Sequence, residues 1–428
     1  MSDIAMNEKK ELLGFSKSMW FQCIVLYIGI WGGLLVSGYV FLLVAAYTLC
    51  IAIFGKVESL YYHLLFSIPF TVIYKLSPGS TSLFAYLMIA TGIIITLRKL
   101  HIPGIVLGLF LMLSTYMIVG MGNNYTTVIK MIAGLFLLYN FVVCIKPKDF
   151  KNQIMSFSLG VLGSSLIGGM KETWDRLAIY FFDIDYVYVS GARTFRFSGL
   201  DYDPNYYAIA AIFAIFLCLR LFFNQEGNRI LLAGLAIAIA FFGFISYSKM
   251  FLFAIIFLAV AFWCYRLKSS GQVVVTIIAV PIIIALFLNW ADKSGYLATI
   301  QERLFGNGDI STGRFRIWKL YWSYISSSLT TLFWGDGLGA RYYRFVGPHN
   351  TYIESIYFLG LLGSGLFAIT ISYIISCVKY VKKREFIDYI LAVLFLFMIG
   401  LLGALTINNL MFYFMLLWIS LNMRKEHT

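Results

Sequence analysis

The chain has 428 residues, is 61% apolar and carries a formal charge of +13, with a positive mean hydropathy of +0.84. No ordinary water-soluble interior absorbs so large an apolar fraction, so a soluble globule is excluded. Nucleic acid is not the partner that the charge implies, because most Lys and Arg sit in short breaks at the ends of apolar runs, where membrane topology accounts for them.

A spanning helix needs about 20 mainly apolar residues, and such runs recur from end to end. Those in the first half are Met19 to Gly33, Leu35 to Phe54, Leu60 to Tyr74, Ser82 to Leu97, Gly104 to Gly120, Thr126 to Ile145 and Asn152 to Met170. They continue as Tyr206 to Phe223, Ile230 to Ser246, Met250 to Leu267, Val273 to Trp290, Thr351 to Val378, Phe386 to Leu405 and Leu410 to Met423. The chain is therefore read as an all-α polytopic integral membrane protein of about 14 transmembrane helices, with 12 to 14 as the range. The first stretch, Met19 to Phe54, reads either as one tilted helix or as a tight pair broken at Gly32-Gly33. The third run is short.

All 428 residues form a single transmembrane domain. The polar start runs to Ser18 with no small-residue cleavage site after it, so the first run reads as a retained anchor. Lys and Arg in the short breaks alternate consistently with the positive-inside rule, which puts both termini in the cytoplasm. Two longer outer-face loops, 171–205 and 291–350, are expected to carry short helices, and long loops escape that rule. Six cysteines are scattered singly within apolar runs and read as small buried residues. No convincing internal repeat is visible, and Lys130 is the one clear mid-span charge.

The first outer loop ends in Gly191-Ala192-Arg193-Thr194-Phe195-Arg196-Phe197-Ser198-Gly199, then Asp203-Pro204-Asn205 at the start of a helix. The second carries seven basic and four acidic residues. Among them are Arg314, Arg316 and Arg341, before the loop closes on Pro348-His349-Asn350. Guanidinium groups bind phosphate oxygens through paired hydrogen bonds and stay charged at any physiological pH. An outer-face arginine cluster thus suits a pyrophosphate-bearing lipid, or else the headgroups of ordinary anionic lipid. Asn205, Lys249 and Asn350 each precede an inward-running apolar segment, where free helix N-H groups favour an anion; the plainer reading of the asparagines is helix capping. Lys249 has snorkelling to the interface as its plainer reading.

His349, the one histidine expected on the outer face, is a candidate general base or phosphate ligand. Glu354, one turn beyond Asn350, faces the same cavity or completes the cap. The two-apart carboxylates Asp183/Asp185 and Asp201/Asp203 are a weak metal signal.

Several stretches resemble the O-antigen polymerase and O-antigen ligase superfamily of bacterial membrane glycosyltransferases. They are Arg196-Phe197-Ser198-Gly199 with Asp203-Pro204-Asn205, Ser248-Lys249, Thr312-Gly313-Arg314 with Trp318, Gly335-Asp336-Gly337-Leu338-Gly339, and His349-Asn350 followed by Gly360-Leu361-Leu362-Gly363. The resemblance covers roughly Ala192 to Gly365. Where that family has an arginine after the serine, this chain has Lys249, which keeps the charge but not the bidentate fork.

The resemblance implies an inverting glycosyltransferase of the bacterial plasma membrane, acting on its outer, periplasmic face without metal or cofactor. Its donor and acceptor would both be undecaprenyl-pyrophosphate-linked oligosaccharide, with the bilayer and a chain-length regulator protein as further partners. In this expectation Arg196, Arg314 and Lys249 hold pyrophosphate, Arg193, Arg316 and Arg341 support them with Asn205 and Asn350, and His349 and Glu354 are catalytic. A polymerase joining repeat units is favoured over a ligase to lipid A core. From another class, a flippase for the same lipid-linked glycan is the rival, although transporters place their charges inside the spans.

Overall fold

The computed structural model describes residues 18–77, 80–98, 102–120, 122, 125–170, 186–189, 192–195, 197–201, 203–266, scattered positions between 282 and 301, 313–381, 386–402 and 409–423. Helices α1 (Met19–Leu35), α2 (Val40–Phe54), α3 (Val57–Ser67), α4 (Leu83–Arg98), α5 (Gly104–Val119), α6 (Tyr125–Cys144) and α7 (Pro147–Gly168) make up the N-terminal half. After an antiparallel hairpin of β1 (Tyr186–Val189) and β2 (Ala192–Phe195) come α8 (Pro204–Phe223), α9 (Arg229–Ile245) and α10 (Lys249–Arg266). The C-terminal part consists of α11 (Arg314–Ile325), α12 (Leu329–Trp334), α13 (Thr351–Cys377), α14 (Phe386–Gly400) and α15 (Leu410–Asn422).

Large apolar side chains face outward along most helices, among them Ile28, Leu43, Leu97, Val119, Ile230 and Ile237. That surface is matched by lipid tails and not by water, so the protein is a helical membrane protein. Among the described residues three helices, α6, α8 and α13, are long and apolar enough to cross a bilayer, and the other apolar helices are shorter. The interior is built from α3, α8 and α15, whose residues are buried almost all round.

The first stretch is a pair of helices, but Gly33 does not break it. The chain turns at 36–39, and Gly33 instead lies against the Phe41 ring, where a Cβ would meet its Cε1 at 2.5 Å. The glycine lets α1 and α2 approach closely. The third run becomes α3, only 11 residues long and buried at every position but Glu58, followed by a 3₁₀ turn over Ile68–Phe70. At 1.5 Å per residue α3 extends roughly 16 Å, about half of a hydrocarbon core. The run 273–290 falls almost wholly outside the described residues.

In the first outer loop the described residues form strands where short helices were expected, pairing Tyr186 with Phe195 and Val189 with Ala192. The sequence carries the reason in Tyr-Val-Tyr-Val, a β-branched and aromatic run followed after two residues, Ser190-Gly191, by the second strand. The second loop does hold short helices, α11 and α12.

One ion pair braces the opposite end. Arg220, in the last turn of α8, meets Asp388, in the first turn of α14, at 2.8 Å with both side chains buried. Each charge also suits the helix end that carries it. Removing one partner strands the other charge, so Asp388→Ala is expected to cost about 3–5 kcal/mol. Thermal unfolding of the detergent-solubilised protein checks this, with the Arg220→Met/Asp388→Leu double variant recovering part of the loss.

Candidate functional site

Four helices begin at the same end of the molecule, and their first residues are tied to one another. Asp203 caps α8, its Oδ1 accepting from the Asn205 amide at 2.6 Å, with Pro204 in the first turn. The cap is therefore Asp203 and not Asn205, as an Asp-Pro helix start would indicate. Asn205 is freed for another role: its Oδ1 accepts from the Ser248 hydroxyl at 2.9 Å. Ser248 in turn accepts from the Phe251 amide at 3.3 Å, which caps α10, so Lys249 opens that helix beside the start of α8.

Asn350 does cap α13, accepting from the amides of Tyr352 and Ile353 at 3.0 and 3.1 Å. Thr351 then donates to the carbonyls of Ile399 and Leu402 at the end of α14. Arg314, the first residue of α11, donates from Nη1 to the Leu401 carbonyl at 2.9 Å. That bond uses one side of the guanidinium, and the group remains within electrostatic reach of Asp203 and Tyr206. Burial lowers its pKa while Asp203 opposes the shift.

His349 completes the cluster. Its backbone is left-handed, φ 47°, and its side chain is exposed at the surface. Burial lowers its pKa, the Arg314 charge lowers it further, and Asp203 pulls the other way. A lowered pKa favours the neutral imidazole, the form able to take a proton. Among the described residues only four without a glycine's freedom have positive φ, and Tyr247, Arg344 and His349 all lie at this end. Such conformations cost roughly 1–3 kcal/mol each and persist where the surroundings impose them.

Glu354 is fully buried and accepts from the Tyr342 hydroxyl at 2.6 Å, a short charge-assisted bond if ionised. It lies one position too far along α13 for a capping box with Asn350. Tyr206 lies within electrostatic reach of Glu354, Asp203 and Tyr342.

Asp203, Asn205, Arg314, His349, Asn350 and Glu354 are thus brought together, with Lys249 opening the adjoining helix. Two arginines are not. Arg316 lies roughly 200° around α11 from Arg314 and is exposed, and Arg341 is exposed, its carbonyl accepting from the Tyr357 hydroxyl. Arg196, Asp183 and Asp185 lie outside the described residues, and of Arg193 only the backbone is described, opposite Tyr188 in the hairpin. Among the described residues no His, Cys, Asp and Glu cluster has metal-holding spacing. Tyr342 is not singled out by the sequence, and Asp203 figures there only as half of a weak metal pair and in the resembling Asp203-Pro204-Asn205 stretch. The Asp-Pro pair was the available signal for Asp203, whereas nothing in the sequence pairs Tyr342 with Glu354.

The Gly335-Asp336-Gly337-Leu338-Gly339 stretch has a mechanical role. Asp336 and Gly337 donate backbone N-H groups to the carbonyls of Tyr357 and Phe358, and Gly339 donates to Gly120 at the end of α5. Gly335, Gly337 and Gly360 all have positive φ. The loop therefore inserts edge-on against a break in α13. An apolar recess of about 700 Å³ lies beside it, between α5, α12 and α13.

Comparison with protein-family models, curated proteins and solved structures finds no match.

Proposed function

We propose that the protein is a polysaccharide polymerase of the bacterial inner membrane that joins undecaprenyl-pyrophosphate-linked repeat units on the outer face. In this reading the chain crosses the membrane about 14 times, with both termini in the cytoplasm. The observation that carries the proposal is the grouping of Arg314, Asp203 and His349 at the converging starts of α8, α10, α11 and α13.

The chemistry needs a cation and helix N-H groups for the leaving pyrophosphate and a base for the attacking hydroxyl. A sugar hydroxyl of one lipid-linked chain attacks the anomeric carbon of another with inversion. The bond from that carbon to the pyrophosphate oxygen breaks, and the electron pair leaves with undecaprenyl pyrophosphate. Arg314 and Lys249 meet the growing charge, and His349 takes the hydroxyl proton. Buried Glu354, bonded to Tyr342, holds the start of α13 and orients the residues around Tyr206. The ligase is the closest alternative, and both reactions use these same groups.

The test is incubation of purified protein with a defined undecaprenyl-pyrophosphate repeat unit, with and without chelator. A chelator-insensitive product ladder is expected. Transport of the substrate across vesicles without elongation would instead indicate a flippase. In cells, His349→Ala leaving single repeats on lipid A core indicates a polymerase, and full-length glycan left on undecaprenyl indicates a ligase.

The His349 shift gives a second expectation. A lowered pKa keeps the basic form available as pH falls, so the acid limb of kcat/KM should lie below the usual imidazole range of roughly pH 6.5. Asp203 opposes that shift, so Asp203→Asn, which still caps α8, should move the limb further towards acid. A limb unmoved by this change would remove His349 from the base role.

A further inference from the structure

Helix α11 has two unlike faces. Tyr321 and Ile325 are buried, and Trp318 donates from its indole to the Pro348 carbonyl at 2.9 Å. The opposite stripe exposes Phe315 (68%) and Trp322 (51%), with Arg316, Lys319 and Ser323 exposed alongside. On a helix Phe315, Lys319 and Trp322 fall within roughly 60° of one another. Helix α12 continues this surface with Leu329 (75%) and Trp334 (58%).

The backbone fixes how deep this surface lies. Arg314 bonds to Leu401, level with the start of α13, and Tyr321 packs edge-on against Tyr357 at 5.2 Å, nearly two turns further along α13. At the end of α12, Gly335 abuts Gly360, and Tyr116 of α5 donates to the Trp334 and Leu359 carbonyls at 2.8 and 2.7 Å. Gly360 lies nine residues beyond Thr351, roughly 13 Å along the helix axis. The α11–α12 pair therefore descends beside α13 from its outer end, on the side where α5 presents Leu111 and Met112 outward. Water does not match an apolar surface at that depth, but an outer leaflet does.

We propose that α11 and α12 form an interfacial hairpin seated in the outer leaflet. Phe315, Trp322, Leu329 and Trp334 contact lipid there, and Arg316 and Lys319 engage the phosphates of anionic phospholipid. Aromatic side chains at headgroup level and cations beside them are the composition that such a position favours. The hairpin then holds the α11 start, and Arg314 with it, at a fixed height above the membrane.

The full chain with its six cysteines replaced would carry Trp322→Cys or, as a second probe on the same exposed stripe, Phe315→Cys. Each is labelled with a small fluorophore in nanodiscs of phosphatidylethanolamine and phosphatidylglycerol. Lipid with a headgroup nitroxide should lower emission about twofold or more, and aqueous iodide should have little effect. Quenching by iodide alone would place the stripe in water, and quenching by neither would place it against protein; each result overturns the proposal. With nitroxide-labelled phosphatidylglycerol compared with phosphatidylcholine, Arg316→Glu/Lys319→Glu should abolish the preference for the anionic lipid. Its persistence would overturn the assignment of the two cations.

Discussion

Replacing Arg314 by alanine is expected to lower the proposed elongation activity of the purified protein by about 10²–10³, the usual consequence of losing one fixed charge donor at a developing oxyanion. The side chain is anchored at one edge by the Leu401 carbonyl and lies near Asp203, so its position costs little reorganisation when negative charge appears. Lysine at this position would keep the charge but not both the anchor and a second donor, so Arg314→Lys should fall between wild type and alanine. Arg316→Ala is the informative contrast. Only two residues away, it lies on the far side of α11, and its loss should change the rate by no more than about twofold, the scale of a screened surface charge. Product ladders from a lipid-linked repeat unit report all three. If Arg314→Ala and Arg316→Ala were equally damaging, the proposed site would be misplaced.

The second large effect is structural. Gly360 has φ 62° and ψ −178°, a region that only glycine occupies readily, and it breaks α13 where α12 docks. An added Cβ would also lie 2.6 Å from the Gly335 nitrogen and closer still to the Phe333 carbonyl. Backbone strain and forced separation each contribute about 1–3 kcal/mol, so Gly360→Ala should destabilise the protein by roughly 3 kcal/mol or more. The expected result is a clearly lower unfolding temperature in detergent, together with loss of elongation as α12 lifts away. Gly365→Ala is the control: apart from its own stretch of helix, nothing lies within 4 Å of its added Cβ, so its unfolding temperature should stay near wild type.

Much of the helix layout was legible because each apolar run is bounded by charges, glycines or prolines. The run starting at Thr351 begins where its Asn350 cap and the preceding proline indicate. Membrane character followed from composition alone. The inward depth of α3 was not legible, since an apolar run looks the same whether it faces lipid or protein. The β hairpin was overlooked although its alternating strand and two-residue connection were in view. At the proposed site, residue types singled out Arg314, His349, Asn350 and Glu354, and only the resemblance ranked Arg314 above Arg316; that the two lie on different sides of α11 follows from the helix itself.

The sequence by itself determined a helical membrane protein and the chemical types available at its loops, because both depend on local composition and on the distance from one charged break to the next. Tertiary structure decided which of those groups meet. Asn205 is bound to Ser248, Tyr342 to Glu354, and Arg314 to the end of α14, all between helix ends remote in sequence. Such contacts depend on the relative heights and rotations of packed helices, and a rotation of one residue, about 100°, is enough to turn an arginine away from its partners.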